Sequence, residues 1–190
     1  AADRELLART AQEIVREERA LAKLERRVDT STDSLGRTFE RIIGLLTEMD
    51  YVELHDGEPQ VTDEGERLSR IHNVSDLLVA QCLKRGIWDE LDPAELAGVA
   101  SLCCFENRKA TSGQPEAATE RMADAMNATW RVYTELTADE QRHRLPPTRE
   151  PEAGFALAVH QWAAGAPLGY CMAAANEAGA ELTPGDFVRW

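Results

Sequence analysis

The sequence predicts a mainly α-helical protein with a long N-terminal arm helix, a winged-helix module containing a small β-hairpin, and a C-terminal helical bundle. The arm helix is predicted because residues 3–28 contain no Gly or Pro. The winged-helix module is predicted because residues 35–72 have the pattern of a helix, a hairpin and a short helix. The bundle is predicted because Gly and Pro separate several later helix starts. The composition, 43% hydrophobic and 29% charged over 190 residues, is typical of a globular protein. We place the domain boundaries at 1–34, 35–72 and 73–190.

The arm helix carries an apolar residue at every seventh position: Leu7, Ile14, Leu21 and Val28. A seam this thin suits one partner helix better than a broad core. No later helix has a matching seam, so we expect the partner upstream of residue 1, with both chain ends falling inside helices. The alternative is a helix lying across the rest of the domain. The seam also predicts some self-association. The polar residues 29–34 are interpreted as a hinge that supplies an N-cap.

The middle of the chain predicts the second half of a winged helix. A helix is expected over 35–49, two strands over 51–54 and 59–62 around the Asp56-Gly57 turn, and a helix over 63–71. Helices over 74–85, 116–136, 152–164 and 167–175 follow, with an exposed loop at 109–115. Capping boxes are predicted at Asp92-Pro93-Ala94-Glu95, at Thr137 with Glu140, and at Thr183 with Asp186.

The charge distribution opposes extensive nucleic-acid binding. The net charge is −13, and residues 31–75 alone hold ten acids and four bases. Arg37 and Arg41 could meet phosphate from the winged helix, but nearby acids and the acidic wing at 55–58 make duplex reading improbable. No apolar run is long enough for a membrane span. The expected location is cytoplasmic, with reduced and mostly buried thiols.

No catalytic or metal-binding pattern is evident. The sequence lacks a phosphate-binding Gly-Lys loop, a nucleophile elbow and zinc-type Cys or His spacing. His160 is expected to be packed or partly exposed, and His143, between two arginines, is expected to face solvent. The candidate nucleic-acid contacts are in the last helix, where Gly185 offers backbone N–H groups, Arg189 a cation and Trp190 a stacking surface. The alternative is that Phe187 and Trp190 pack in the core.

Several short motifs, in this order and spacing, resemble the C-terminal region of exosome-type DExH-box RNA helicases, the DSHCT domain. They are Val61-Thr62 with Gly65, Leu77-Leu78, Leu91-x-Pro93-x-x-Leu96-Ala97, Ser101 to Glu106, Val159-x-x-Trp162-Ala163-x-Gly165, and Gly185 to Arg189. The resemblance covers about residues 36–190. The family often has a basic residue before the wing glycine, whereas this chain has Glu64 before Gly65.

The resemblance implies an accessory region of an ATP-dependent RNA helicase that unwinds RNA 3′ to 5′. This fragment would hold no cofactor, and ATP and Mg²⁺ would bind RecA-like domains of the same polypeptide. The winged helix would brace those domains, residues 3–28 would return from an insertion, and the helix from Thr183 would touch single-stranded RNA. RNA-degradation machinery is a further possible partner, and no membrane is expected. The fragment itself is not expected to be an enzyme, whereas the intact protein would be an ATP-dependent RNA helicase that hydrolyses ATP. The alternative function is a winged-helix transcription regulator with a helical effector or dimerisation domain.

Overall fold

A computed structural model describes the backbone of residues 2–107 and 116–190 and the side chains of residues 16–24, 34–107 and 116–190. The predicted loop at 109–115 therefore lies outside the described residues. The chain divides into two units, Ala1–Gly44 and Leu45–Trp190. The predicted fold class is confirmed, since the chain is mainly helical with one small antiparallel sheet. The three-part domain division stays a prediction.

Helix α1 spans Ala2–Glu48 without a break, so the predicted hinge and N-cap at 29–34 are wrong. The Asp, Thr and Ser residues of this stretch each cost a helix only about 0.5 kcal/mol relative to Ala. Neither Gly nor Pro interrupts the stretch. Apolar residues at helical spacing continue on both sides of it. The helix predicted over 35–49 is thus the last part of α1.

The end of α1 leads directly into the hairpin. Asp50 takes a positive φ of 61°, and the Tyr51 amide donates to the Leu46 carbonyl at 2.8 Å, which closes the helix. Strands β1 (Val52–His55) and β2 (Glu58–Val61) pair antiparallel, with His55 opposite Glu58. Asp56 and Gly57 both have positive φ, as a type I′ turn requires. The Asp-Gly turn prediction is confirmed.

Helix α2 (Asp63–Ser69) packs closely against the hairpin. Thr62 caps it by accepting from the Gly65 amide at 3.1 Å, and the Thr62 hydroxyl donates to the Asp50 carbonyl at 2.8 Å. A Cβ on Gly65 would lie 2.2 Å from the Tyr51 carbonyl oxygen. Only glycine therefore fits at this position, and the Glu64 that precedes it pairs with Arg67 at the surface.

Six further helices complete the described part of the second unit. They are α3 (Asp76–Lys84), α4 (Pro93–Cys104), α5 (Glu120–Arg142), α6 (Ala156–Ala163), α7 (Leu168–Glu177) and α8 (Pro184–Arg189). Helix α4 lies between two cores. The first core is formed mainly by α3, α4 and α5, and the second by α6, α7 and Phe105 with Phe187.

The start of α4 is built as predicted, and the same carboxylate also binds α5. Asp92 accepts from the Ala94 and Glu95 amides, and Glu95 accepts from the Asp92 amide at 2.9 Å. Glu95 is fully buried and also accepts from Arg121 and from the Thr119 hydroxyl, which caps α5. These donors hold the pKa of Glu95 down to about 2, the Arg121 hydrogen bond having the largest effect.

The capping box predicted at Thr137 and Glu140 is wrong, because α5 continues to Arg142. The Thr137 hydroxyl donates to the Tyr133 carbonyl at 3.0 Å, inside the helix. The Glu140 carboxylate instead accepts from the amide and hydroxyl of Thr148, which anchors the segment that follows α5. Both polar side chains thus have partners that allow the helix to continue.

His143, expected to face solvent, instead lies against the last turn of α1. Its ring nitrogen Nε2 is 2.8 Å from a Glu48 carboxylate oxygen, and its side chain is only 20% exposed. Arg142 donates both terminal nitrogens to Glu48 at 2.7 Å. Those two donors, with His143 second to Arg142, lower the pKa of Glu48 to about 2. The prediction for His143 considered only its sequence neighbours Arg142 and Arg144. It was wrong because the acidic partner, Glu48, is distant in sequence.

Candidate nucleic-acid interface

The last helix begins as predicted. Thr183 caps α8 by accepting from the Asp186 amide at 3.2 Å, Pro184 holds its first position, and the Asp186 carboxylate accepts from the Thr183 hydroxyl at 2.7 Å. This capping box fixes where α8 starts and therefore which of its residues face inward. Phe187 is buried, whereas Val188, Arg189 and Trp190 are exposed.

An aromatic cluster anchors α8 to the second core. The Phe187 ring meets Phe155 edge-on at 5.0 Å between centroids, and Phe155 packs against Phe105 at 4.9 Å. Trp190 contacts Phe105 edge-on at 5.5 Å yet remains 45% exposed. The sequence left open whether the aromatic residues of this helix pack in the core or are available for stacking. Phe187 packs in the core, whereas Trp190 keeps part of its ring available for stacking.

The three predicted contact residues differ in their surroundings. Arg189 is exposed and makes no ion pair with any residue that the structure describes. Gly185 is exposed in the first turn of α8, beside Asp186. Because the Asp186 carboxylate already places a negative charge at this helix end, a phosphate is disfavoured there. Arg189 and Trp190 are therefore the stronger candidates, and the binding role of all three stays a prediction.

A groove adjoins Trp190 and contains a second exposed indole. Its volume is about 470 Å³, and it is lined mostly by apolar side chains from α4, α6 and α8. Trp162 of α6 lines it and is 60% exposed. The sequence placed Trp162 in the helix expected over 152–164 and in one of the motifs that resemble the DSHCT region, but a helical pattern does not reveal which neighbours leave a face uncovered. Its position in the groove required the tertiary structure.

The other reactive side chains that the structure describes are cysteines, histidines and carboxylates. Among the described residues, no three His, Cys, Asp or Glu side chains are placed to hold a metal ion together. Cys82, Cys103 and Cys171 are buried and Cys104 is exposed. Burial raises the pKa of Cys82 to about 11 and that of Cys103 to about 12. His160 is half-buried on α6, as expected. Within the described part of the chain, no helix combines the length and hydrophobicity of a membrane span.

Comparison with known proteins identifies the family. Residues 58–190 match the model of the DSHCT (NUC185) domain, so the chain belongs to the DSHCT domain family. Over 188 residues it is also 46% identical to the probable helicase HelY of Mycobacterium tuberculosis H37Rv. It is 47% identical over 186 residues to the probable helicase HelY of Mycobacterium leprae. These alignments cover 96% and 95% of this chain but only 21% and 20% of the relatives. The chain therefore spans about a fifth of the length of the curated relatives it matches.

The comparisons bear differently on the two functions considered from the sequence. The resemblance to the DSHCT region is confirmed by the family match and by the identity to the mycobacterial proteins. The alternative, a winged-helix transcription regulator, gains no support from these matches.

Proposed function

We propose that this chain is the C-terminal accessory region of an ATP-dependent RNA helicase. In this proposal it braces RecA-like motor domains in the same polypeptide, guides single-stranded RNA and performs no catalysis itself. The observation that supports it is the similarity over nearly the whole chain to proteins named probable helicases, of which the matched segment is about a fifth. ATP and Mg²⁺ would bind in the motor domains. A cytoplasmic location and contact with RNA-degradation machinery are further parts of this proposal.

The RNA contact is proposed for the exposed side of α8. The free part of the Trp190 ring would stack on a base, which needs no particular sequence because every base has a π-face. Arg189, one residue away, would meet a phosphate. Gly185 contributes less, because Asp186 places a carboxylate beside its amide. The proposed contact is therefore one base and one phosphate wide.

The charge of the chain limits the strength of this contact. Because the chain has a net charge of −13, it repels RNA at long range, and a single arginine neutralises only about one phosphate. We therefore expect weak binding with a shallow salt dependence, in which stacking provides most of the affinity. Such a contact suits guidance of a strand that motor domains already hold.

Binding of a fluorescently labelled single-stranded RNA to this chain, measured by anisotropy at low salt, tests the contact. Loss of a base stack costs about 1–3 kcal/mol, so Trp190→Ala should weaken binding by about tenfold. Trp130→Ala is the control, since Trp130 lies on α5 against Tyr133. Equal affinity of the native chain and Trp190→Ala would remove Trp190 from the interface. Tight binding of one duplex DNA sequence would instead favour a transcription regulator.

The motor role is tested in the longer polypeptide that the similarity implies. Trp190→Ala should slow RNA unwinding there more than it slows ATP hydrolysis, because α8 is proposed to guide RNA and not to bind nucleotide. The isolated chain should hydrolyse no ATP. Sustained ATP turnover by the purified chain, or equal loss of unwinding and hydrolysis in the variant, would contradict the proposed division of roles.

A further inference from the structure

The groove beside Trp190 is open because one face of α4 carries small side chains. Ala97, Ala100, Ser101 and Cys104 follow one another at helical spacing and line the α4 side of the groove. Longer side chains at these positions would fill the space next to the aromatic residues of α6 and α8. The volume of about 470 Å³ lies within the range of small-ligand sites, which is roughly 300–1,000 Å³. The groove is therefore large enough for a planar ring.

Two tryptophan rings from different parts of the chain line this groove. Trp162 of α6 is 60% exposed, and Trp190, which follows α8, is 45% exposed. The edge-on contact of Trp190 with Phe105, at 5.5 Å between ring centroids, holds the Trp190 ring beside the groove before any ligand binds. A flat aromatic ligand that stacks on an exposed indole covers apolar surface that water otherwise contacts. The two rings therefore favour a flat aromatic ligand.

The charges around the groove indicate which kind of aromatic ligand fits. No described residue that lines it is charged, although the chain has a net charge of −13. Arg189 lies between two lining residues, Val188 and Trp190, and makes no ion pair with any residue that the structure describes. An uncharged groove with one unpaired cation at its border matches a neutral ring that carries an anionic group. A nucleotide of a single strand combines such a base with such a phosphate.

We propose that an unstacked base of single-stranded RNA enters this groove and lies against both Trp162 and Trp190. This inference rests on the proposed RNA contact of α8 and adds Trp162 as a second stacking residue for the same base. Among the polar groups of the lining, the Ser101 hydroxyl already donates to the Gly98 carbonyl at 2.7 Å, and the Cys104 thiol is a weak donor. The groove therefore binds the face of a base and distinguishes little between one base and another.

Anisotropy of a fluorescently labelled single-stranded RNA at low salt tests the role of Trp162. Trp162→Ala should weaken binding about tenfold, and Trp162→Phe should restore most of the loss because phenylalanine also stacks. Tyr170→Ala is the matched control, since Tyr170 is 64% exposed on α7 but does not line the groove. Ala100→Leu, which fills the groove and leaves both indoles in place, should also weaken binding. Circular dichroism should show an unchanged helix content in all four variants.

A double-mutant cycle tests whether both rings hold the same base. If they do, combining Trp162→Ala with Trp190→Ala should weaken binding by less than the product of the two single effects. A full product, about hundredfold, means that the rings bind two separate bases and overturns the shared groove. In nuclear magnetic resonance spectra, RNA should shift the indole N–H signals of Trp162 and Trp190 and leave that of the buried Trp88 unchanged.

The outcomes separate this inference from the proposed function. RNA binding that depends on Trp190, but is unaffected by Trp162→Ala and by Ala100→Leu, overturns the groove and leaves the proposed function intact. The groove then lies outside the path of the strand, and only the exposed side of Trp190 contacts a base. Absence of any RNA binding by the native chain contradicts the proposed RNA contact itself, and the inference fails with it.

Discussion

The close approach of α4 and α6 at Gly98 makes a sharp prediction for Gly98→Ala. A Cβ there would lie 2.5 Å from the Met122 Cε, 2.8 Å from the Ala156 carbonyl oxygen and 3.3 Å from the His160 Cβ. The Met122 methyl is the end of a flexible side chain and can move. The Ala156 oxygen belongs to the backbone of α6, so relief there requires the two helices to separate.

The magnitude follows from two opposing effects. Overpacking a close contact costs about 1–3 kcal/mol, whereas replacing a helical Gly by Ala gains about 0.5–1 kcal/mol through the backbone entropy of the unfolded chain. We expect the steric effect to win, which lowers the free energy of unfolding by about 1–2 kcal/mol. For a chain of this size the melting temperature should fall by about 2–8 °C.

Urea unfolding followed by circular dichroism measures this change. Gly169→Ala is the matched control, because Gly169 is also helical and its added Cβ would meet nothing within 4 Å. The control should leave stability unchanged or raise it slightly. A Gly98→Ala variant as stable as the native chain would refute the reasoning, since it would show that α4 and α6 separate without cost.

Three other perturbations have outcomes set by single contacts. Thr129→Val removes the buried hydroxyl that accepts from the Trp88 indole N–H at 3.0 Å, and should cost about 1–3 kcal/mol in urea unfolding; Thr134→Val, exposed on the same helix, should cost little. The pKa of Glu48 in the folded chain is about 2, below its ordinary value of 4.5. The ionised Glu48 carboxylate therefore stabilises the fold fully above pH 4.5, and this stabilisation is lost as the pH falls towards 2. The melting temperature should fall less over that pH range in Glu48→Gln than in the native chain. A thiol reagent at pH 8 should modify only Cys104 in the folded chain and all four cysteines after unfolding, and rapid reaction of more than one folded thiol would contradict the described burial.

The sequence predicted best the structures that depend on nearby residues. The capping box of Asp92 and Glu95 and the turn at Asp56-Gly57 are confirmed, because both ends of each interaction lie within four residues. The same reasoning failed at Thr137, whose hydroxyl binds a carbonyl within the helix. Local sequence shows that a side chain is able to cap a helix, but the competing partners decide whether it does.

The candidate site was predictable only in part. The start of α8 followed from Thr183, Pro184 and Asp186, whereas the sequence left open whether Phe187 and Trp190 pack in the core. The groove beside Trp162 and Trp190 brings α4, α6 and α8 together, and no periodicity within one helix reveals such an arrangement. The placement of His143 against Glu48 was missed for the same reason, since 95 residues separate them.

The buried Glu95 carboxylate makes the folding of α4 depend on the docking of α5. Its bond to the Asp92 amide helps to start α4, while its bonds to Arg121 and Thr119 hold the first turn of α5. A buried carboxylate without Arg121 would be strongly unfavourable. The first turn of α4 therefore gains its full stability only after α5 has docked. Nucleation of one helix and assembly of the pair become a single cooperative event.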